Sequence, residues 1–246
     1  MDRRVFIKAM CLGVVGIAGQ FPSSAFAQEI RQKLKRASNS VGKSRRVRIE
    51  GEKAWQFTLP PDGRESEIAA ESSGRQREEL RDYSSSARGT VIYRLQFMLP
   101  NIDDPDGRLE AKFIFFQLKP RDKRGVGFNP YLTVEVPKNY RSKGPKVDFE
   151  FRNGRVREVR SGKPVIPNRW HTLEVIVKWS TQRDGFADVK LDGRSIARHD
   201  GFTGPDIGDP LPNFGIYRSH LNNVNPSRLE TINLCIRRYK VERIAS

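Results

Sequence analysis

At 246 residues, with 45 lysines and arginines against 29 aspartates and glutamates, the chain carries a formal charge of +16. Two cysteines and three scattered histidines exclude a disulfide framework and argue against a structural zinc site, so the fold must rest on its hydrophobic core. The apolar run from Ala9 to Gly19 is too short to span a bilayer comfortably.

Residues 1–27 read as a signal peptide: a basic start, that apolar run, and Ala25-Phe26-Ala27 as a small-residue cleavage site. Arg3-Arg4-Val5-Phe6-Ile7-Lys8 matches the R-R-x-F-x-K pattern of twin-arginine export, the alternative being an ordinary secretory signal with two chance arginines. Either one sends the mature chain to the periplasm or the exterior. Cys11 leaves with the leader and Cys235 is then alone. The leader holds three basic residues and one acidic one, so the mature chain keeps a charge of about +14. Such a charge steers polyanions. Outside the cytoplasm an acidic polysaccharide is the more plausible partner than a nucleic acid.

Residues 28–46 are polar and basic without clear periodicity, a loose arm or one that orders on contact. From Val47 the pattern alternates with period two, broken by Gly, Pro, Asn and Asp. Strands are expected over Ala54–Leu59, Thr90–Leu99, Ala111–Leu118, Tyr131–Val136 and Val147–Phe151, with Asn153-Gly154 turning into Val156–Arg160. Arg169–Ser180 alternates cleanly, and the chain returns through Asp184-Gly185 and turns again at Asp192-Gly193. Asn213–Arg218 and Thr231–Glu242 complete the set. With no helix longer than a turn or two and no internal repeat, the pattern predicts one all-β domain over 47–246, a jelly-roll sandwich of two antiparallel sheets.

Three stretches carry chemistry. In Arg75–Tyr83, a strand would align Arg77, Glu79, Arg81 and Tyr83 on one face, either a groove lining or a solvated row of paired charges. In Phe113–Pro120, strict alternation would put Phe113, Phe115 and Gln117 on one face, followed by Lys119, with Ile114, Phe116 and Leu118 opposite. In Asn213–His220, Tyr217 shares a face with Asn213 and Gly215, and Gly215 has no side chain to shield the phenol. A tyrosine there is either a core residue or a proton carrier.

Taken together, Arg77-Glu78-Glu79-Leu80-Arg81, Gln117-Leu118-Lys119 and Phe214-Gly215-Ile216-Tyr217-Arg218 resemble the jelly-roll polysaccharide lyases: the family 7 alginate lyases, heparin lyase I and the glucuronan lyases. The Ile-Tyr-Arg ending, Trp170–Trp179 and Leu191-Asp192-Gly193 are closer to the heparin lyase I and glucuronan lyase branch. The resemblance spans Arg77 to Glu242. It departs at Lys119, where the alginate enzymes have histidine, and at Asn213, where they have lysine.

The resemblance implies catalytic roles for Tyr217, Gln117 and Lys119, and substrate contacts for Arg77, Glu79, Arg81, Arg218 and His220. It implies an acidic polysaccharide substrate, no metal and no other cofactor, no nucleic acid, no membrane insertion after signal cleavage, and a monomer. Such lyases break the bond beside a uronic acid by β-elimination, and the C5 proton becomes acidic only when the neighbouring carboxylate is neutralised. Gln117 with Arg77 or Arg81 is the natural neutraliser. Tyr217 can serve as base and acid, provided a cation such as Arg81 or Lys119 stands near its phenol. A sugar-binding module without catalysis is the rival, and it would favour exposed aromatics such as Trp55, Trp170 or Trp179. A glycoside hydrolase needs two closely placed carboxylates, and the E-x-D-x-x-E strand signature is absent.

Overall fold

The computed structural model describes residues 27–29, 31–37, 40, 42–60, 76–84, 89–100, 112–121, 130–137, 147–153, 156–160, 164–204, 209–218, 221, 229 and 231–244. Among these there are fifteen strands and no helix. In chain order they are β1 (Ala27–Glu29), β2 (Leu34–Arg36), β3 (Lys43–Ile49), β4 (Glu52–Leu59), β5 (Gln76–Asp82), β6 (Thr90–Met98), β7 (Phe113–Pro120) and β8 (Leu132–Val136). Then come β9 (Asp148–Asn153), β10 (Val156–Arg160), β11 (His171–Lys178), β12 (Phe186–Leu191), β13 (Arg194–Asp200), β14 (Pro210–Arg218) and β15 (Ile232–Ile244). All pairings are antiparallel. The first sheet runs β13-β12-β11-β6-β15-β4-β3 with β1 against β15, and the second runs β10-β9-β8-β7-β14-β5-β2. The chain is the all-β jelly-roll sandwich that its periodicity predicts.

Alternation builds the first sheet directly. In β6, Val91, Tyr93, Leu95 and Phe97 point inward while the residues between them are half-buried, and β11 repeats the pattern. The inner faces meet through aromatic pairs such as Phe97–Phe115 (centroids 4.6 Å apart) and Tyr93–Phe116 (6.1 Å), a geometry worth about 0.5–1.5 kcal/mol each beyond burial. The β12–β13 hairpin turns on Asp192 (φ 50°) and Gly193 (φ 79°), the two left-handed residues that a type I′ turn requires.

The segment read as a polar basic arm, 28–46, supplies strands to both sheets. β1 pairs with β15, β2 with β5, and β3 with β4. β2 and β3 are edge strands rich in lysine and arginine, a composition that hides period-two burial and guards an edge against further pairing.

The second sheet departs from simple alternation. A bulge at Phe115 lets two residues of β7 oppose one step of β8, so Phe113, Phe115, Phe116 and Leu118 all join the core. The single-face grouping of Phe113, Phe115 and Gln117 is therefore corrected. Gln117 lies on the outer face without its aromatic companions, because the extra residue resets the alternation. A second irregularity falls in β14 between Phe214 and Tyr217. Pro210 and Pro212 lie where β14 pairs only with β7, so on the other side no ladder partner is lost.

Candidate active site

β14 runs down the middle of the second sheet between β7 and β5, and register fixes what faces what. Asn213 pairs with Arg81 on one side and Gln117 on the other, and Gln117 pairs in turn with Thr133. One residue row thus crosses four strands as Arg81–Asn213–Gln117–Thr133. Along β14, Gly215 pairs with Glu79 and Tyr217 with Arg77. All of these side chains stand on the outer face, since the intervening Leu80, Phe116, Leu118, Phe214 and Ile216 belong to the core.

This face is polar yet sunken. β14 is buried along its whole length and β8 likewise, unlike the alternating strands of the first sheet. Gln117 and Asn213 are fully buried and Glu79 is 1% exposed. Buried polar groups normally find partners. Here, among the described residues, Thr133 Oγ1, Gln117 Oε1, both amide atoms of Asn213, Arg81 Nε and Glu79 Oε2 have no hydrogen-bond partner. On the outer face of the first sheet comparable groups satisfy one another, with Arg94 bridging Glu174 and Glu242, and Lys190 reaching Glu174. Elsewhere among the described residues such unmet atoms are scattered singly, and their gathering into one row is the mark of a surface shaped for a polar ligand.

Tyr217 stands on the same face four residues along β14 from that row, in register with Arg77 and Ile114. The Arg77 guanidinium carbon lies 4.7 Å from its ring centroid and the Lys119 ammonium 5.9 Å. Lys119 comes this close although its backbone pairs with Leu211, well along β14 from Tyr217. The cations against the phenol are therefore Arg77 and Lys119. Arg81 lies in the row itself, paired with Asn213 four residues along β14 from Tyr217.

Glu79 links the two groups. Its Oε1 accepts a hydrogen bond from Gln117 Nε2, and Arg77 Nη1 lies 3.7 Å from its Oε2. Glu79 and Gln117 reach each other across β14, Glu79 being in register with Gly215 and Gln117 with Asn213. Burial pushes the Glu79 carboxyl above the ordinary glutamate range, against the opposing pull of Arg77, the Gln117 bond, Lys119 and Arg81.

Gly215 serves the backbone rather than the phenol. Its φ is 134°, and a Cβ there would stand 2.3 Å from the Glu78 carbonyl oxygen and 2.9 Å from Glu79 Cα. Only glycine fits that pairing. Tyr217 itself is 8% exposed and lies within the sunken face.

The structure thus brings together Tyr217, Gln117, Lys119, Arg77, Glu79 and Arg81. It does not bring Arg218, which is fully buried on the inner side, in register with Gln76 and Phe113. Strand alternation turns it away from Tyr217. His220 lies outside the described residues. Two further residues join the row, Asn213 and Thr133, and the departure from the family lysine was the only sequence signal for the first. Thr133 carried none, because a threonine in an alternating strand is ordinary. Among the described residues no group of histidines, cysteines and carboxylates is placed to hold a metal ion.

Trp55, Trp170 and Trp179 stand elsewhere. Trp179 packs in the core against Tyr131, while Trp55 and Trp170 are covered by the Arg46 and Arg237 guanidinium groups at 4.9 Å and 4.1 Å.

A family model described as polysaccharide lyase matches residues 21–232. No curated protein matches the sequence. Among solved structures, an endo-β-1,4-glucuronan lyase from the fungus Trichoderma reesei is similar at a TM-score of 0.59 and 15% identity, over 89% of this chain and 95% of that one. A family 7 alginate lyase in complex with substrate is similar at 0.55 and 17%, over 78% and 79%. The marine alginate lyase of Zobellia galactanivorans follows at 0.52 and 17%, over 78% of each chain. At such identities these likenesses show the shared fold.

Proposed function

The chain belongs to the polysaccharide lyase family, and on that premise we propose that it cleaves an acidic, uronate-containing polysaccharide by β-elimination on the outer face of its second sheet. The observation that carries the reading is the row of unpartnered buried polar atoms leading to a tyrosine flanked by two cations. A uronate carboxylate laid along Arg81, Asn213 and Gln117 meets a guanidinium and two amides. Their hydrogen bonds strengthen as the carboxylate takes on enolate character, which is where most of the catalytic effect of such a site arises. Tyr217 then removes the C5 proton as phenolate and returns a proton to the leaving glycosidic oxygen, so the C4–O bond breaks as the C4–C5 double bond forms. Arg77 and Lys119 stabilise the negative charge on the phenol oxygen during the first half. Lys119 acts as that cation in place of the histidine of the alginate enzymes.

A binding module without catalysis has less support, because its sugar-stacking tryptophans are buried or capped by arginines on other faces. For localisation, we assign residues 1–27 to a twin-arginine export signal and the mature protein to the periplasm or exterior.

The test is Tyr217→Phe, assayed on glucuronan, alginate and heparin-like chains by ultraviolet absorbance of the unsaturated product. The variant keeps the ring. Turnover is expected to fall at least 10²-fold, the lower bound for loss of a general acid–base group, with polysaccharide affinity held within a few-fold. A folded variant with full activity would remove Tyr217 from the mechanism.

A further inference from the structure

The orientation of Gln117 conflicts with its role. Its Nε2 donates to Glu79 Oε1, which leaves Gln117 Oε1 and Glu79 Oε2 on the same face without a hydrogen-bond donor, Arg77 Nη1 standing 3.7 Å from the latter. An arriving carboxylate is also an acceptor, so beside the Arg81 and Asn213 donors it would meet a lone pair where the Gln117 donor is needed. Reversing the amide does not help while Glu79 is ionised, because Gln117 Oε1 would then oppose a carboxylate. A proton on Glu79 removes both conflicts at once.

We propose that Glu79 is a positioning residue whose proton sets the direction of Gln117: protonated Glu79 donates to Gln117 Oε1, and Gln117 Nε2 turns to donate to the substrate carboxylate. The inference rests on the lyase reading for the identity of that carboxylate. No covalent change is involved, and the proton stays on Glu79 through turnover.

The surroundings suit this role. Glu79 is 1% exposed, and burial favours its neutral form. The charged groups that face it are Arg77 and Arg81 on its own strand and Lys119 on β7, all favouring ionisation. From β14 it faces Gly215, with Tyr217 and Asn213 as the nearest polar side chains on that strand. Its backbone N–H donates to Ser40 Oγ at 3.5 Å and its carbonyl accepts from the Ala37 N–H at 2.9 Å, so the strand is held and only the side chain is free to reorient. A substrate carboxylate entering beside Glu79 adds a like charge, which tightens the hold on the proton. Substrate binding and protonation of Glu79 therefore assist each other.

Two measurements decide it. In the free wild-type protein labelled with 13C at glutamate Cδ, the resonance missing from Glu79→Gln should titrate above the ordinary glutamate value of ~4.3. On a Tyr217→Phe background, affinity for glucuronate, mannuronate and guluronate tetrasaccharides is then followed by calorimetry against pH. Affinity should fall up to tenfold per pH unit above that titration, with about one proton taken up on binding. In Tyr217→Phe combined with Glu79→Gln the fall should vanish, since the substituted amide donates to Gln117 Oε1 at every pH. An ordinary Glu79 titration, or an equal slope in the double variant, overturns the proposal. If Glu79→Gln does not fold, proton uptake by the Tyr217→Phe protein decides: none means Glu79 is not protonated in the complex. Sugars that bind with this linkage yet are not cleaved by the wild type would sink the lyase reading alone. Cleavage without the linkage would sink the positioning role alone, and no binding of any tetrasaccharide would sink both.

Discussion

Asn213 is fully buried, and neither its amide oxygen nor its amide nitrogen has a partner among the described residues. A group in that state costs about 1–3 kcal/mol relative to one that is satisfied. A protein selected only for stability would have an apolar residue there. Asn213→Leu keeps the size and removes the unmet amide, so stability against denaturant should hold or rise by about 1 kcal/mol. Polyuronate affinity should fall, because a carboxylate loses a donor in the centre of the row. The pair of changes is the diagnostic: denaturation midpoint up or level, binding down. A large loss of stability instead would show that the amide carries a structural bond and that the row is not a binding surface.

At the scale of elements, β14 decides the site, and its legibility from sequence was uneven. Phe214-Gly215-Ile216-Tyr217 reads as a strand because its apolar residues alternate, and the register to β5 then places Arg77 beside Tyr217. The bulges were not legible. Alternation assumes one residue per step, and nothing in Phe113-Ile114-Phe115-Phe116 announces the extra residue that sends both aromatic positions inward. Gly215 was legible as special but for the wrong reason, since its missing Cβ relieves the backbone of β5 and not the phenol. β2 and β3 were missed because edge strands need little apolar patterning. Long-range pairing between sheets is also invisible to periodicity, and Tyr239 is its clearest case. The Tyr239 phenol, on β15, donates to Asp82 Oδ2 at 3.0 Å on β5, and Asp82 also receives the N–H groups of Lys33 and Ser84. Burial, then the Asp82 charge, raises the Tyr239 phenol well above the usual tyrosine value. The folded protein therefore keeps this proton where the unfolded chain loses it, above about 10. The stability it contributes is full below that pH and is lost as pH rises from the unfolded value toward the folded one. Tyr239→Phe should cost about 1–2 kcal/mol at neutral pH. It should also flatten the alkaline loss by up to about 1.4 kcal/mol per pH unit in denaturation series. An unchanged alkaline slope would mean that the proton is lost equally in both states.

Over the whole molecule, a formal charge of +16 draws any polyanion toward every face, so attraction alone does not locate the site. Placement separates the cations. Arg48 and Arg194 are exposed on the first sheet, whereas Arg77 is 7% exposed and Arg81 half-buried at the row. Exposed charges act at a distance and are screened by salt, while a desolvated cation in contact with a carboxylate acts mainly on dissociation. Arg81→Ala should therefore weaken polyuronate binding at least tenfold, by faster dissociation, and the loss should persist at physiological salt because a contact worth ~2 kcal/mol or more is removed. Arg48→Ala and Arg194→Ala should change affinity less than about twofold, through association rate alone, and the difference should disappear as salt rises. Surface plasmon resonance on immobilised polyuronate at two ionic strengths separates the two behaviours. If all three substitutions act alike and fade together with salt, the charge works as a diffuse field and the row does not hold the substrate carboxylate.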